Sequence, residues 1–140
     1  MGDLYTELLS GVKGLELPAV RNAAAENIYW VYAIALTEEI PFDAAEMMGR
    51  LNKHGIGTRP FFRGMHEQPM FQRQGLFKGE KYPVTERISR RGFYLPSGLG
   101  LTEAQLRRSA DALEKVLAGW SLLLGISRRR ALEKPRLDNA

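Results

Sequence analysis

Between Gly55 and Pro69 the chain reads GIGTRPFFRGMHEQP, which puts Arg59, Phe61, Phe62, Arg63 and His66 within fifteen residues bracketed by glycines and prolines. Such a stretch is too polar and too interrupted for a core, and too aromatic for a plain linker. Loops held by rigid flanks are where binding residues collect. A guanidinium such as that of Arg59 or Arg63 grips a phosphate or carboxylate through two parallel hydrogen bonds. A phenyl face such as Phe61 or Phe62 stacks on a flat ring. The chemistry indicated is recognition of an anionic, partly aromatic ligand.

Each of these residues has a plainer use. Arg59 can equally pair with a local carboxylate, and residue type alone favours core packing for Phe61 and Phe62. His66 has the titration range for proton transfer, but a lone histidine without a fixed partner is usually a hydrogen-bonding residue. No metal site is expected, because His54 and His66 fall on different elements with no third ligand at suitable spacing. The glutamates of Thr37–Pro41 read as an edge turn. Arg87, Arg90 and Arg91 form either a basic patch or, as the commoner use of such a run, a solvated helix face. Tyr29, Trp30 and Tyr32 suit packing against another domain better than a ligand platform.

The elements that must position these residues are legible from pattern. Residues 3–12 carry Leu4, Leu8 and Leu9 at helical spacing. The block 28–36, IYWVYAIAL, is β-branched and aromatic without clean alternation, which predicts a strand covered on both faces and holding Tyr29, Trp30 and Tyr32 together. After Pro41 a helix follows with Ala45, Met48 and Leu51 on one side, and Gly55 stops it. Residues 56–59 form a short strand before Pro60 interrupts pairing, and 63–81 read as loop. Pro83 opens a helix that ends at Gly92, and 93–95 is a third strand. Thr102 and Gln105 make a capping box, starting a helix with Leu106, Ala110, Leu113 and Leu117 in register to about Leu124. The order predicts an α+β fold: a small, mostly antiparallel sheet with helices on one face.

Bulk properties narrow the class. The 140 residues, 44% hydrophobic and 26% charged, suit one globular domain, expected over 1–125, with a charged and disordered tail over 126–140. The formal charge of +4 owes much to Arg128, Arg129 and Arg130 in that tail, so it argues for a solvated terminus and against a nucleic-acid partner. Absence of cysteine excludes disulfides and thiolate chemistry. No apolar run approaches the roughly 20 residues that span a bilayer, and the N-terminus lacks a signal peptide's basic start. The expectation is a cytoplasmic protein without a membrane partner.

Three blocks in order, NIYWVYAIAL, LNKHGIGTRPFFRGMHEQPMF and YPVTERISRRGFYLPSGLGLTEAQ, carry a resemblance over residues 1–118. They are similar to the C-terminal region of the DegT/DnrJ/EryC1/StrS sugar aminotransferases, closest to the perosamine-synthase-like members. The tail 119–140 has no counterpart in it. The resemblance implies the small domain of a fold-type-I, pyridoxal-phosphate-dependent homodimer that aminates a 4-keto-6-deoxysugar nucleotide, with glutamate as amino donor. It implies that Arg59, Phe61, Phe62 and His66 face substrate, and that the cofactor and its Schiff-base lysine belong to a large domain. Met1 falls within what the family would treat as the helix joining the two domains, so a truncated chain is expected.

The lysines agree with that. Transamination requires a lysine to hold the cofactor and move a proton. None of Lys13, Lys53, Lys78, Lys81, Lys115 and Lys134 has the serine-containing, glycine-followed context of the family's lysine, and no glycine-rich turn leads into a helix to cradle a phosphate. The chain by itself is expected to bind no cofactor, to contribute no catalytic residue and to be inactive. The rival reading is a stand-alone, non-catalytic α+β module that binds a ligand or a partner. A small nucleic-acid binder is a third, with steep salt dependence as its mark.

Overall fold

The computed structural model describes residues 1–123, with side chains through Trp120. The tail expected over 126–140 lies outside the described residues. In chain order the elements are helix α1 (Gly2–Leu9), strand β1 (Leu15–Glu16), strand β2 (Tyr32–Leu36), helix α2 (Ala44–Lys53), strand β3 (Arg59–Pro60), a 3-10 turn (Met65–Glu67), helix α3 (Pro69–Arg73), helix α4 (Pro83–Arg91), strand β4 (Gly92–Leu95) and helix α5 (Glu103–Leu123). The sheet runs β1-β2-β4-β3 with every pairing antiparallel. This is the small antiparallel sheet with helices that the pattern predicts.

Residues directly paired across an antiparallel ladder project to the same side. The pairs Tyr32–Leu95, Ile34–Phe93 and Leu15–Leu36 therefore share one face, and Ala33–Tyr94, Ala35–Gly92 and Arg59–Tyr94 share the other. Three helices close the first face: Tyr5 and Leu9 of α1, Ala44, Met47 and Leu51 of α2, and Leu106, Ala110, Leu113 and Leu117 of α5 join the strand side chains in one buried cluster. Helix α4 has no buried residue. The reverse face, lined by small alanines and Tyr94, is the side toward which β3 projects Arg59.

Local signals explain the ends of the helices. Asp43 accepts from the amide of Glu46 at 2.9 Å and starts α2. In the capping box the Thr102 amide donates to Gln105 Oε1 at 2.9 Å, and the Gln105 amide donates back to Thr102 Oγ1 at 3.3 Å. The turn at 37–40 closes through the Ile40 amide and the Thr37 carbonyl.

Several expectations need correction. Residues 28–31 are not strand: Ile28 is 89% and Trp30 74% exposed, and Tyr29 has a φ of +49°. The ladder has nothing to offer them, since Pro96 follows Leu95 without an amide hydrogen and the Ser97 hydroxyl takes the Tyr32 amide at 2.8 Å. Tyr29, Trp30 and Tyr32 therefore do not share a strand. The buried stripe of α2 is Ala44, Met47 and Leu51, and Ala45 is exposed. A spacing of three then four follows the 3.6-residue period better than two steps of three. Pro60 does not end pairing but lies within β3, tolerated because β3 is an edge strand. The stretch 63–81 is not plain loop, since it holds the 3-10 turn and α3. Sequence pattern also missed β1, which is only two residues long.

Candidate functional site

The sheet brings three of the four predicted site residues around one ring. Arg59 on β3 sits opposite Tyr94 on β4. The next amide, that of Phe61, donates to the Gly92 carbonyl at 3.2 Å, which continues the edge pairing. The Phe61 ring then lies 5.9 Å from that of Tyr94 and across Gly92, where a β-carbon would come within 1.7 Å of Phe61 Cδ2. Only glycine at 92 lets the ring settle there. Phe62 also lies near Tyr94, at 6.3 Å, but is 73% exposed. Phe61 thus serves partly as packing, and Phe62 does not.

The side chain of Arg59 is exposed and has neither hydrogen bond nor ion pair among the described residues, nor does that of Arg63. The local carboxylate that could have claimed Arg59 is not there. An unengaged guanidinium on a strand residue paired with Tyr94 and close in sequence to Phe61 and Phe62 suits an anion attached to a flat or apolar group.

His66 lies apart from this cluster, in the 3-10 turn against the start of α4. It is 9% exposed. Its ring sits 4.8 Å from that of Tyr82, its carbonyl accepts from Gln72 Nε2 at 3.1 Å, and its Nε2 is 3.3 Å from Glu86 Oε1. The same Glu86 oxygen accepts the Tyr82 amide at 3.1 Å, and Arg90 Nη1 approaches the other oxygen at 3.7 Å. That amide, followed by His66 and Arg90, holds the Glu86 carboxyl below the usual carboxylate range against an opposing desolvation. Arg90 also donates to Glu67 at 2.8 Å, tying the 3-10 turn to α4. The phenol of Tyr82 donates to Glu80, which pushes its pKa up. A cleft of about 560 Å³ opens here, lined by His66, Glu67, Arg73, Lys78, Glu86 and Arg90 among others. Sequence reasoning missed Tyr82 and Glu86. The available signal was Pro83, which fixes the first turn of α4 and so places both residues at the helix N-terminus.

The arginines of α4 are neither a basic patch nor a free solvated face. Arg87 makes a bidentate pair with Glu16 of β1 at 2.7 and 3.0 Å. The guanidinium of Arg91 donates to the carbonyls of Leu36, Thr37, Ile40 and Phe42, which gathers the β2–α2 turn around one cation.

The five described lysines, Lys13, Lys53, Lys78, Lys81 and Lys115, are all exposed. An aldimine-forming lysine works enclosed, beside a phosphate cradle and a partner for the pyridine nitrogen, so the described residues do not fit a pyridoxal phosphate site. No helix among them is long and apolar enough to cross a membrane.

Known proteins are similar to this chain in sequence and in fold. The model of the DegT/DnrJ/EryC1/StrS aminotransferase family matches residues 1–114. A GDP-perosamine synthase from Vibrio cholerae is 30% identical over 114 residues, which cover 81% of this chain and 30% of that protein. Among solved structures, the aminotransferase TlmJ from Streptoalloteichus hindustanus superposes with a TM-score of 0.71 at 20% identity, over 86% of this chain and 31% of its own. DesI, crystallised in the presence of its TDP-sugar product, gives 0.70 at 23% identity, over 89% of this chain and 31% of its own. The chain thus spans about 30% of the length of such relatives. With the family match running from α1 well into α5, the chain belongs to the DegT/DnrJ/EryC1/StrS aminotransferase family.

Proposed function

We propose that this chain is the small C-terminal domain, over residues 1–125, of a pyridoxal-phosphate-dependent sugar-nucleotide aminotransferase. The complete enzyme transfers an amino group from glutamate to a 4-keto-6-deoxysugar nucleotide, as a cytoplasmic homodimer. Arg59, Phe61, Phe62 and His66 face the substrate. Cofactor and Schiff-base lysine belong to the part of the enzyme that this chain does not span, and the chain alone is inactive.

The observation that carries this reading is the unpaired side chain of Arg59, set opposite Tyr94 in the sheet, with the Phe61 and Phe62 rings beside that tyrosine. Arg59 pairs with a phosphate of the nucleotide, and an aromatic face takes a ring. The test is steady-state kinetics of the chain joined to, or co-expressed with, a large domain of the family. Arg59→Ala is expected to raise KM for the sugar nucleotide about tenfold or more, the loss of one charge-assisted contact. No cofactor-dependent amination of any 4-keto sugar by the assembled enzyme would end the catalytic reading.

The buried cluster shared by α1, α2, α5 and the sheet favours one further reading, a module that folds and binds ligand without cofactor. Cooperative unfolding of the chain alone together with nucleotide-sugar binding supports it, and aggregation of the isolated chain counts against it.

A further inference from the structure

The seat of His66 is more elaborate than burial of one imidazole requires. The Tyr82 ring packs tilted against the imidazole, Gln72 holds the residue's carbonyl, and Arg90 braces both Glu67 and Glu86. The two ring nitrogens are then treated differently. Nε2 is fully buried without a well-aligned hydrogen bond, and Glu86 Oε1 at 3.3 Å is the carboxylate it faces. The Nδ1–Cε1 edge lies instead over Gly64, where a β-carbon would come within 2.6 Å of both atoms. Since Nε2 has no exposure, the 8% that the side chain retains belongs to the rest of the ring.

A neutral imidazole has one donor and one acceptor nitrogen, and the partner of the first decides the role of the second. We propose that Glu86 is the positioning residue of His66. Its Oε1 accepts the Nε2 hydrogen and so leaves Nδ1 as a lone-pair acceptor, on the part of the ring that keeps its remaining exposure, for a hydroxyl or ammonium group of a ligand. A turn of the ring that brings the Nε2 hydrogen onto Oε1 makes this 3.3 Å contact a charge-assisted hydrogen bond. The ligand group follows from the tautomer: an acceptor nitrogen recognises a donor and leaves anions to Arg59. The use made of this edge rests on the reading of His66 as substrate-facing, whereas the tautomer does not.

The two histidines of the chain, His54 and His66, make a direct measurement possible. The imidazole nitrogens of the 15N-histidine-labelled chain are observed by NMR at mildly alkaline pH, with His54→Gln to leave a single ring. The expected result is a hydrogen on Nε2 and none on Nδ1. In Glu86→Gln, whose amide group can donate to Nε2, the ratio of tautomers is expected to move toward Nδ1–H by about tenfold or more, the effect of losing one charge-assisted hydrogen bond. A purely packing role for Glu86 would leave that ratio where it was. A hydrogen on Nδ1 in the unsubstituted ring overturns the proposal even if the variant does not fold. So does an unchanged ratio in a variant whose amide spectrum remains native. The two readings fail separately: adding a nucleotide sugar without moving the His66 signals removes its substrate role, and the tautomer still decides the role of Glu86.

Discussion

Phe61 and Phe62 are adjacent and identical in type, yet the structure gives them different work. Phe61 is half-buried over Gly92, and Phe62 is 73% exposed beside Tyr94. Phe62→Ala is therefore expected to change stability by no more than about 0.5 kcal/mol. Phe61→Ala should lose about 2 kcal/mol, less than the ~3–5 kcal/mol of a fully buried ring. Urea denaturation midpoints of the two variants check this, and equal losses would return Phe62 to a packing role. If Phe62 also raises the KM of an assembled enzyme while leaving stability untouched, its exposure serves the ligand. No residue-type argument could separate the two, because the difference comes from Gly92, 31 residues from Phe61 in sequence and adjacent to it only through strand pairing.

Between elements, α4 works as a set of polar ties. It buries no residue of its own, and its attachment runs through Arg87 to β1, Arg90 to the 3-10 turn and Arg91 to the β2–α2 turn. Arg91→Met keeps the apolar stem and removes the donors, leaving the carbonyls of Leu36, Ile40 and Phe42 without this partner while that of Thr37 keeps the Ile40 amide. Each buried unsatisfied group costs about 1–3 kcal/mol, so a loss of about 3 kcal/mol or more is expected in chemical denaturation. Arg90→Met, at an exposed side chain, should lose less than about 1 kcal/mol. Comparable losses would mean that the carbonyl cage is not what holds the turn.

The Arg87–Glu16 tie carries a pH signature. The hydrogen bonds from Arg87, with its charge, hold the Glu16 carboxyl below its ordinary value, against an opposing desolvation. A carboxyl whose folded pKa lies below its unfolded value of about 4.3 stabilises the fold above that pH. The contribution fades as pH falls through the lower, folded pKa. Because the pair is exposed, no more than about 1 kcal/mol is at stake. Stability measured from pH 6 down to about pH 2 should decline less steeply in Arg87→Gln than in the parent chain. Identical slopes would mean that solvent screens the pair entirely.

For the molecule as a whole, the elements announced by periodicity and caps were legible: the α5 stripe of Leu106, Ala110, Leu113 and Leu117, the Thr102–Gln105 box, and β4. These signals are local, set by one helical repeat or one capping contact, so the sequence carries them unaided. The same holds for the three blocks that marked the family, and for the types of residue, cationic and aromatic, that collect between Gly55 and Pro69. Pairing, by contrast, was decided only in three dimensions. It left residues 28–31 outside the ladder, admitted Pro60 at the edge, and turned Arg59, Phe61 and Phe62 toward Tyr94 while sending His66 to Glu86 and Tyr82. A two-residue strand has no period to read, and a cross-strand neighbour or an imidazole's carboxylate lies tens of residues away in sequence. Which side chains could bind was determined by composition at one loop; which of them stand together was determined by register, because a sheet fixes its neighbours by hydrogen bonds between strands and not by order along the chain.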